Sequence, residues 1–198
     1  MSELKVNKVT PRSGTTVTIG DSGEHLALAG NIGLGGATPT TSGTGITFPA
    51  TASASTNANT LDDYEEGNFG GNSANDLFVP VTSGTITMGR GNMAYTKIGR
   101  ICNIRGEINV SSVASPVGGT YVNLPFTSAT SSVDRNAFGG ARIITYNVAH
   151  TGTGLNILVQ VDGGTQAQLV FEQSGGTFAA YTAAAGHTMW IDFDYLTA

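Results

Sequence analysis

The sequence predicts an all-β protein: a C-terminal antiparallel β-sandwich, jelly-roll-like, preceded by an extended N-terminal arm. Three observations carry that prediction. Glycine fills 28 of 198 positions, about twice the usual share of roughly 7%, so turns are frequent. From Asp76 onward apolar residues recur with a period near 2, the repeat of a strand rather than of a helix. The aromatic residues are segregated: Phe48 is alone in residues 1–60, and the other fourteen Phe, Tyr and Trp lie in 61–198. Two regions follow, an arm and linker over 1–60 and a sandwich head over 61–198.

In the arm, GTTVTIGDSG (14–23) alternates and ends in a turn, HLALAGNIGLGG (25–36) sets Leu or Ile beside Gly, and GITFPA (45–50) is a short strand stopped by Pro49. One aromatic and nine glycines in sixty residues bury too little surface to offset their own ordering entropy. Leu26, Leu28, Ile32, Leu34 and Ile46 need cover from other chains. TASASTNANT (51–60) is low in complexity and reads as a linker.

In the head, NDLFVPVTSGTITMG reads as two strands around Ser83-Gly84, the first confined to a sheet edge by Pro80. MAYTKIGRICNIRGEINVSS (93–112) reads as a long hairpin. Cys102, Ile104, Ile108 and Val110 share one face, with Asn103, Arg105, Glu107 and Asn109 on the other, as in a sheet that is wet on one side. TYVNLPF (120–126), ARIITYNV (141–148), GLNILVQVDGG (154–164) and AQLVFEQSGG (167–176) are further strands. Asp162-Gly163-Gly164 makes a hairpin turn between the last two. In HTMWIDFDYLTA, Met189, Ile191, Phe193 and Tyr195 face the core, and Trp190, Asp192 and Asp194 face outward.

Charge excludes some functions. The net charge is −5 and the nine Lys and Arg are scattered, so no basic patch exists to hold nucleic acid. No apolar run is long enough to cross a membrane, and the N-terminus lacks the apolar core of a signal peptide. The single cysteine, Cys102, falls in phase with core residues and reads as a small hydrophobe.

Enzyme signatures are equally sparse. His25, His150 and His187 lie far apart without metal-pair spacing. GDSGE misses the nucleophile-elbow pattern, and GRGNMA leads into an alternating run rather than a helix. Asp192 and Asp194 lie on one strand face about 7 Å apart, a separation a glycosidase pair can use; a solvated face is the plainer reading. Asp62, Asp63, Glu65 and Glu66 lack the order of a calcium loop. No catalytic residue, metal site or cofactor is expected, and the chain is not expected to be an enzyme.

The run ITFPATASASTNANTLDDYEEGNF resembles a module of tailed-bacteriophage structural proteins of the tail fibre or tail-spike type. There an aromatic-poor segment ends in Phe-Pro-Ala, a small-residue linker follows, and Leu-Asp-Asp-Tyr-Glu-Glu-Gly opens a β-sandwich. Tyr95-Thr96-Lys97-Ile98-Gly99-Arg100 and NLPFTSATSS are similar to further segments of that family, and NIGLGGATPT to an element of fibre shafts. Gly67 is followed here by Asn68-Phe69, where the family often has Thr-Trp or Thr-Phe.

The resemblance implies a homotrimeric virion protein without catalytic residues. On that reading Leu4, Lys5, Val6, Lys8, Val9 and Arg12 form a basic virion-docking tip that meets other virion proteins. Leu61, Asp62, Asp63, Tyr64, Glu65 and Glu66 form the trimer and arm–head junction, with Leu61 and Tyr64 docked on the head and the carboxylates hydrated or facing a neighbouring subunit. The expected function is a short tail fibre or receptor-binding protein that touches host surface carbohydrate; the alternative is a capsid decoration protein.

Overall fold

The computed structural model describes residues 9–14, 30–39, 44–50, 61, 63–130, 138–148, 157–160, 164–172 and 177–198. It divides into two compact units, Met1–Ala50 and Thr51–Ala198. Every regular element among the described residues is a β-strand.

In the first unit β1 (Ile32–Gly33) and β2 (Ile46–Thr47) pair in parallel. The ladder is closed by Ile32 N–H to Gly45 O and Leu34 N–H to Thr47 O, both 2.9 Å. Leu34 and Ile46 stay exposed in the single chain. The expected strand at 14–23 falls almost wholly outside the described residues, as do Leu26 and Leu28.

The second unit holds β3 (Tyr64–Gly70), β4 (Phe78–Pro80), β5 (Ser83–Arg90), β6 (Asn92–Ile98), β7 (Ile101–Val117), β8 (Thr120–Asn123), β9 (Phe138–Tyr146), β10 (Ile157–Gln160), β11 (Gln166–Glu172), β12 (Phe178–Ala180) and β13 (Thr188–Leu196). They form two sheets. One runs β10-β11-β8-β4, with β12 also on β11; the other runs β3-β6-β7-β13-β9, with β5 also on β7. All pairings in both are antiparallel.

The sheets share one core. Phe78, Val122, Ala167 and Leu169 of the five-stranded sheet meet Cys102, Ile104, Ile108, Val110, Met189, Ile191, Phe193 and Tyr195 of the six-stranded sheet in a single buried cluster. The expected β-sandwich is therefore present, and the core faces of β7 and β13 carry the residues that alternation assigned to them. Cys102 is fully buried, and burial pushes its thiol pKa up. The Tyr195 hydroxyl donates to Phe126 O at 3.0 Å and accepts from Phe126 N–H at 3.2 Å, so the buried phenol is satisfied.

Pro80 lies on β4, the edge of its sheet, as a residue without an N–H requires. The turn expected at Ser83-Gly84 lies instead at Val81-Thr82, which donate to Gly119 O and Val117 O. Ser83 already belongs to β5, and the β5–β7 register shifts between Ser83 and Thr85. Opposite this bulge sits Pro116, which cannot donate to a regular ladder; its Cα would lie 2.7 Å from a Cβ at Gly84. Strands β3 and β12 were not legible from alternation. The hairpin of β10 and β11 is present, while residues 161–163 of its turn lie outside the described set.

His187 ends the turn before β13. Its Nδ1 accepts from Ala184 N–H at 3.2 Å and meets the Tyr181 hydroxyl at 3.0 Å. Burial lowers its pKa. The unfolded chain therefore binds a proton first as the pH falls, and the stability this neutral ring contributes is complete above about pH 6.5 and lost below it. Urea midpoints at pH 7.5 and 5.5 are expected to fall further apart in the native chain than in His187→Asn. An equal drop in both would show that His187 is not the group responsible.

Two neighbouring positions on β7 separate core from surface. Ile104→Ala is expected to cost about 2–5 kcal/mol by opening a cavity, and Arg105→Ala to stay within about 0.5 kcal/mol. Equilibrium denaturation of both variants checks the facing of this strand.

Candidate functional site

Two features of the head concentrate chemistry: a corner where β3 meets β6, and the outward face of the six-stranded sheet. The corner gathers the segments LDDYEEG, YTKIGR and LPF. Strand β3 pairs with β6 from Tyr64↔Ile98 to Gly70↔Asn92. The hairpin to β7 turns through Gly99 and Arg100, with Gly99 at φ 56°, a conformation that favours glycine at the first position of a tight turn. Gly99 N–H donates to Asp63 O at 2.9 Å, which fixes the start of β3 beside this turn.

Lys97 alternates onto the inner face with Met93 and Tyr95. Its Nζ donates to Asp63 Oδ2, and it lies 5.5 Å from the centre of the Phe126 ring. Both members of this ion pair are buried. Tyr95 stacks edge-on against Phe126 at 5.1 Å and donates its hydroxyl to Glu65 Oε1 at 2.9 Å. Burial and the hydrogen bond to Glu65 push the Tyr95 phenol up to about 12. Gly67 lies under the same ring; a Cβ there would come within 2.8 Å of the Tyr95 hydroxyl.

One carboxylate of the acidic cluster departs from the expected hydration: Asp63 is buried, whereas Glu65 and Glu66 are exposed. Asp63 is buried against Lys97 because its backbone is tied to Gly99, which turns the carboxylate inward. Glu65 serves Tyr95, and Glu66 accepts from the Tyr64 hydroxyl at 2.8 Å, an interaction that raises the Tyr64 pKa. Leu61 and Tyr64 are exposed in this chain. Asp62 lies outside the described residues, as do Leu4, Lys5, Val6 and Lys8 of the basic tip; Val9 and Arg12 are exposed.

The outward face carries the second feature. On β13 Trp190, Asp192 and Asp194 point away from the core, opposite Glu107, Arg105 and Asn103 of β7. The Asn103 amide donates to Asp192 Oδ1 at 3.0 Å and to Asp194 Oδ1 at 2.7 Å. One side chain thus holds both carboxylates. Arg90 pairs with Glu107 at 2.6 Å at the adjoining edge, a surface contact of small energetic weight.

Trp190 also faces Ile144 across the β13–β9 ladder, and Tyr146 lies one outward position further along β9. Trp190, Ile144 and Tyr146 are 43%, 51% and 63% exposed, which makes them an apolar patch beside the carboxylate row. Sequence alternation identified Trp190, Asp192 and Asp194. It missed Ile144 and Tyr146, whose place beside Trp190 depends on the pairing of two strands far apart in the chain. Among the described residues no group of three or more His, Cys, Asp or Glu is arranged to hold a metal.

No protein-family model and no curated protein matches the chain. Among solved structures it is similar to the Dettilon tailspike protein, with 15% sequence identity and a TM-score of 0.48 over 67% of this chain. The chain spans 23% of the length of that protein.

Gly67→Ala tests the corner. The added methyl must displace the Tyr95 ring, break its bond to Glu65 and disturb the cover over Lys97, at an expected cost of about 1–3 kcal/mol. A thermal melt unchanged from the native chain would show that the ring moves freely.

Proposed function

We propose that this chain is a non-catalytic bacteriophage virion protein of the tail fibre or receptor-binding type, whose head contacts host surface carbohydrate through the outer face of its six-stranded sheet. The observation that carries this reading is the adjacency of Trp190, Ile144 and Tyr146 to the Asp192–Asn103–Asp194 row. Aromatic rings offer flat apolar surface to the C–H face of a sugar. Carboxylates already fixed by an amide offer acceptors to its hydroxyls. Resemblance of the LDDYEEG and YTKIGR segments to phage fibre modules supports a place in the particle.

The chain acts as a homotrimer on this reading. Leu34 and Ile46, exposed in one copy, gain cover from two others, and weak contacts to sugar are multiplied by three heads. The arm carries Lys5, Lys8 and Arg12 toward an acidic socket on its virion partner, where opposite charge speeds the encounter. Capsid decoration is the competing assignment, and location separates the two.

Trp190→Ala is expected to reduce binding of the assembled protein to cells of the phage host by at least about tenfold, as loss of a central aromatic anchor does, with its melting temperature unchanged. Binding equal to that of the native protein overturns the proposed face. Immunogold labelling at the tail tip supports the fibre reading; labelling spread over the capsid overturns it in favour of decoration.

A further inference from the structure

We propose that Lys97 and Asp63 are joined by an intramolecular isopeptide bond, so that the start of β3 is fastened covalently to β6. The first ground is placement. Lys97 projects inward from β6, Asp63 is turned inward by the Gly99–Asp63 backbone bond, and Nζ contacts the carboxylate directly. The two side chains are 11% and 10% exposed. The second ground is surroundings. The Phe126 ring lies 5.5 Å from Nζ, and Tyr95 packs on that ring, so apolar surface walls the pair on one side. An ion pair withdrawn from water loses solvation that mutual attraction does not fully return.

The third ground is a group able to move protons. Glu65 is the direct cross-strand partner of Lys97. It shares the inward side, because it accepts from Tyr95, yet it remains exposed to solvent. Amine and acid are thus held in contact, with Glu65 at the adjoining cross-strand position, and fixed approach of reacting groups is worth effective molarities of about 10⁵–10⁸ M.

The step balances without any added reagent. A proton passes from the Lys97 ammonium to the Asp63 carboxylate. The freed nitrogen lone pair attacks Asp63 Cγ and forms the C–N bond. Glu65 takes the second proton from nitrogen and delivers it to the departing hydroxyl as the C–O bond breaks. Ammonium plus carboxylate becomes amide plus one water, with no change of oxidation state.

Denaturing mass spectrometry of the full chain tests this. The expected mass is lower by one water than the sequence dictates, with a branched peptide joining the segments around Asp63 and Lys97 after proteolysis. Asp162-Gly163 is a second place where a chain of this sequence can lose water, by succinimide formation, and Lys97→Arg separates the two. Loss of the deficit in Lys97→Arg supports the bond; a deficit that persists in Lys97→Arg overturns it. Glu65→Gln, whose side chain keeps an acceptor for Tyr95, is expected to fold with the same β-sheet circular dichroism but to retain its water. A native chain at its full sequence mass overturns the proposal outright, leaving Lys97 and Asp63 as an ion pair.

Discussion

The nine-residue register between β7 and β13 is the constraint on which the rest of the head depends. From Thr188↔Asn109 to Leu196↔Ile101 the two strands match without a break. A slip by one residue would exchange the two faces of a strand. Met189, Ile191, Phe193 and Tyr195 would leave the core, and Trp190, Asp192 and Asp194 would enter it. Burying two carboxylates without partners costs far more than any rearrangement of surface contacts could return. The same alternation that builds the core therefore aims the candidate binding face, and neither can change without the other.

Strand β7 extends that control outward. Its first half pairs with β6 and its second half with β5 along one side, while β13 occupies the other. Through β6 it reaches β3, and so the corner where Asp63, Lys97, Tyr95 and Phe126 meet. Three short segments separated in sequence become one structural unit there. Gly67 makes room for a ring, Gly99 makes the turn, and Lys97 reaches a carboxylate that this turn has placed. Within the segments that resemble fibre modules, Asp63, Lys97, Tyr95 and Phe126 are thus accounted for by packing at a sheet edge.

What could be read in the sequence follows from how local each signal is. The fold class, the core faces of β7 and β13 and the edge position of Pro80 rest on alternation or on one residue's chemistry, and both are visible within a few positions. Strand β3 was hidden because Tyr64, Glu65 and Glu66 show no apolar alternation; its outer side is wet and much of its inner side is occupied by Glu65 and Gly67. The burial of Asp63 was hidden because its partner lies 34 residues away. Ile144 and Tyr146 were hidden for the same reason, since alternation gives the phase of a strand but not its neighbour. Pro116 shows the reverse case: its missing N–H was legible, but the strand it disturbs was not.

On the proposed reading, the two carboxylates on β13 hold a sugar rather than cleave it. A catalytic pair works by inequality, with one group kept protonated by an apolar setting and the other ionised in a polar one. Asp192 and Asp194 share a donor, a strand and a face. The shared amide fixes two acceptors at a set spacing, next to exposed aromatic surface. On the proposed reading, a surface of this kind binds each copy of a ligand weakly and releases it readily. On that reading affinity comes from the number of heads presented together, and the exposed Leu34 and Ile46 of the arm then bear on function as much as Trp190 does.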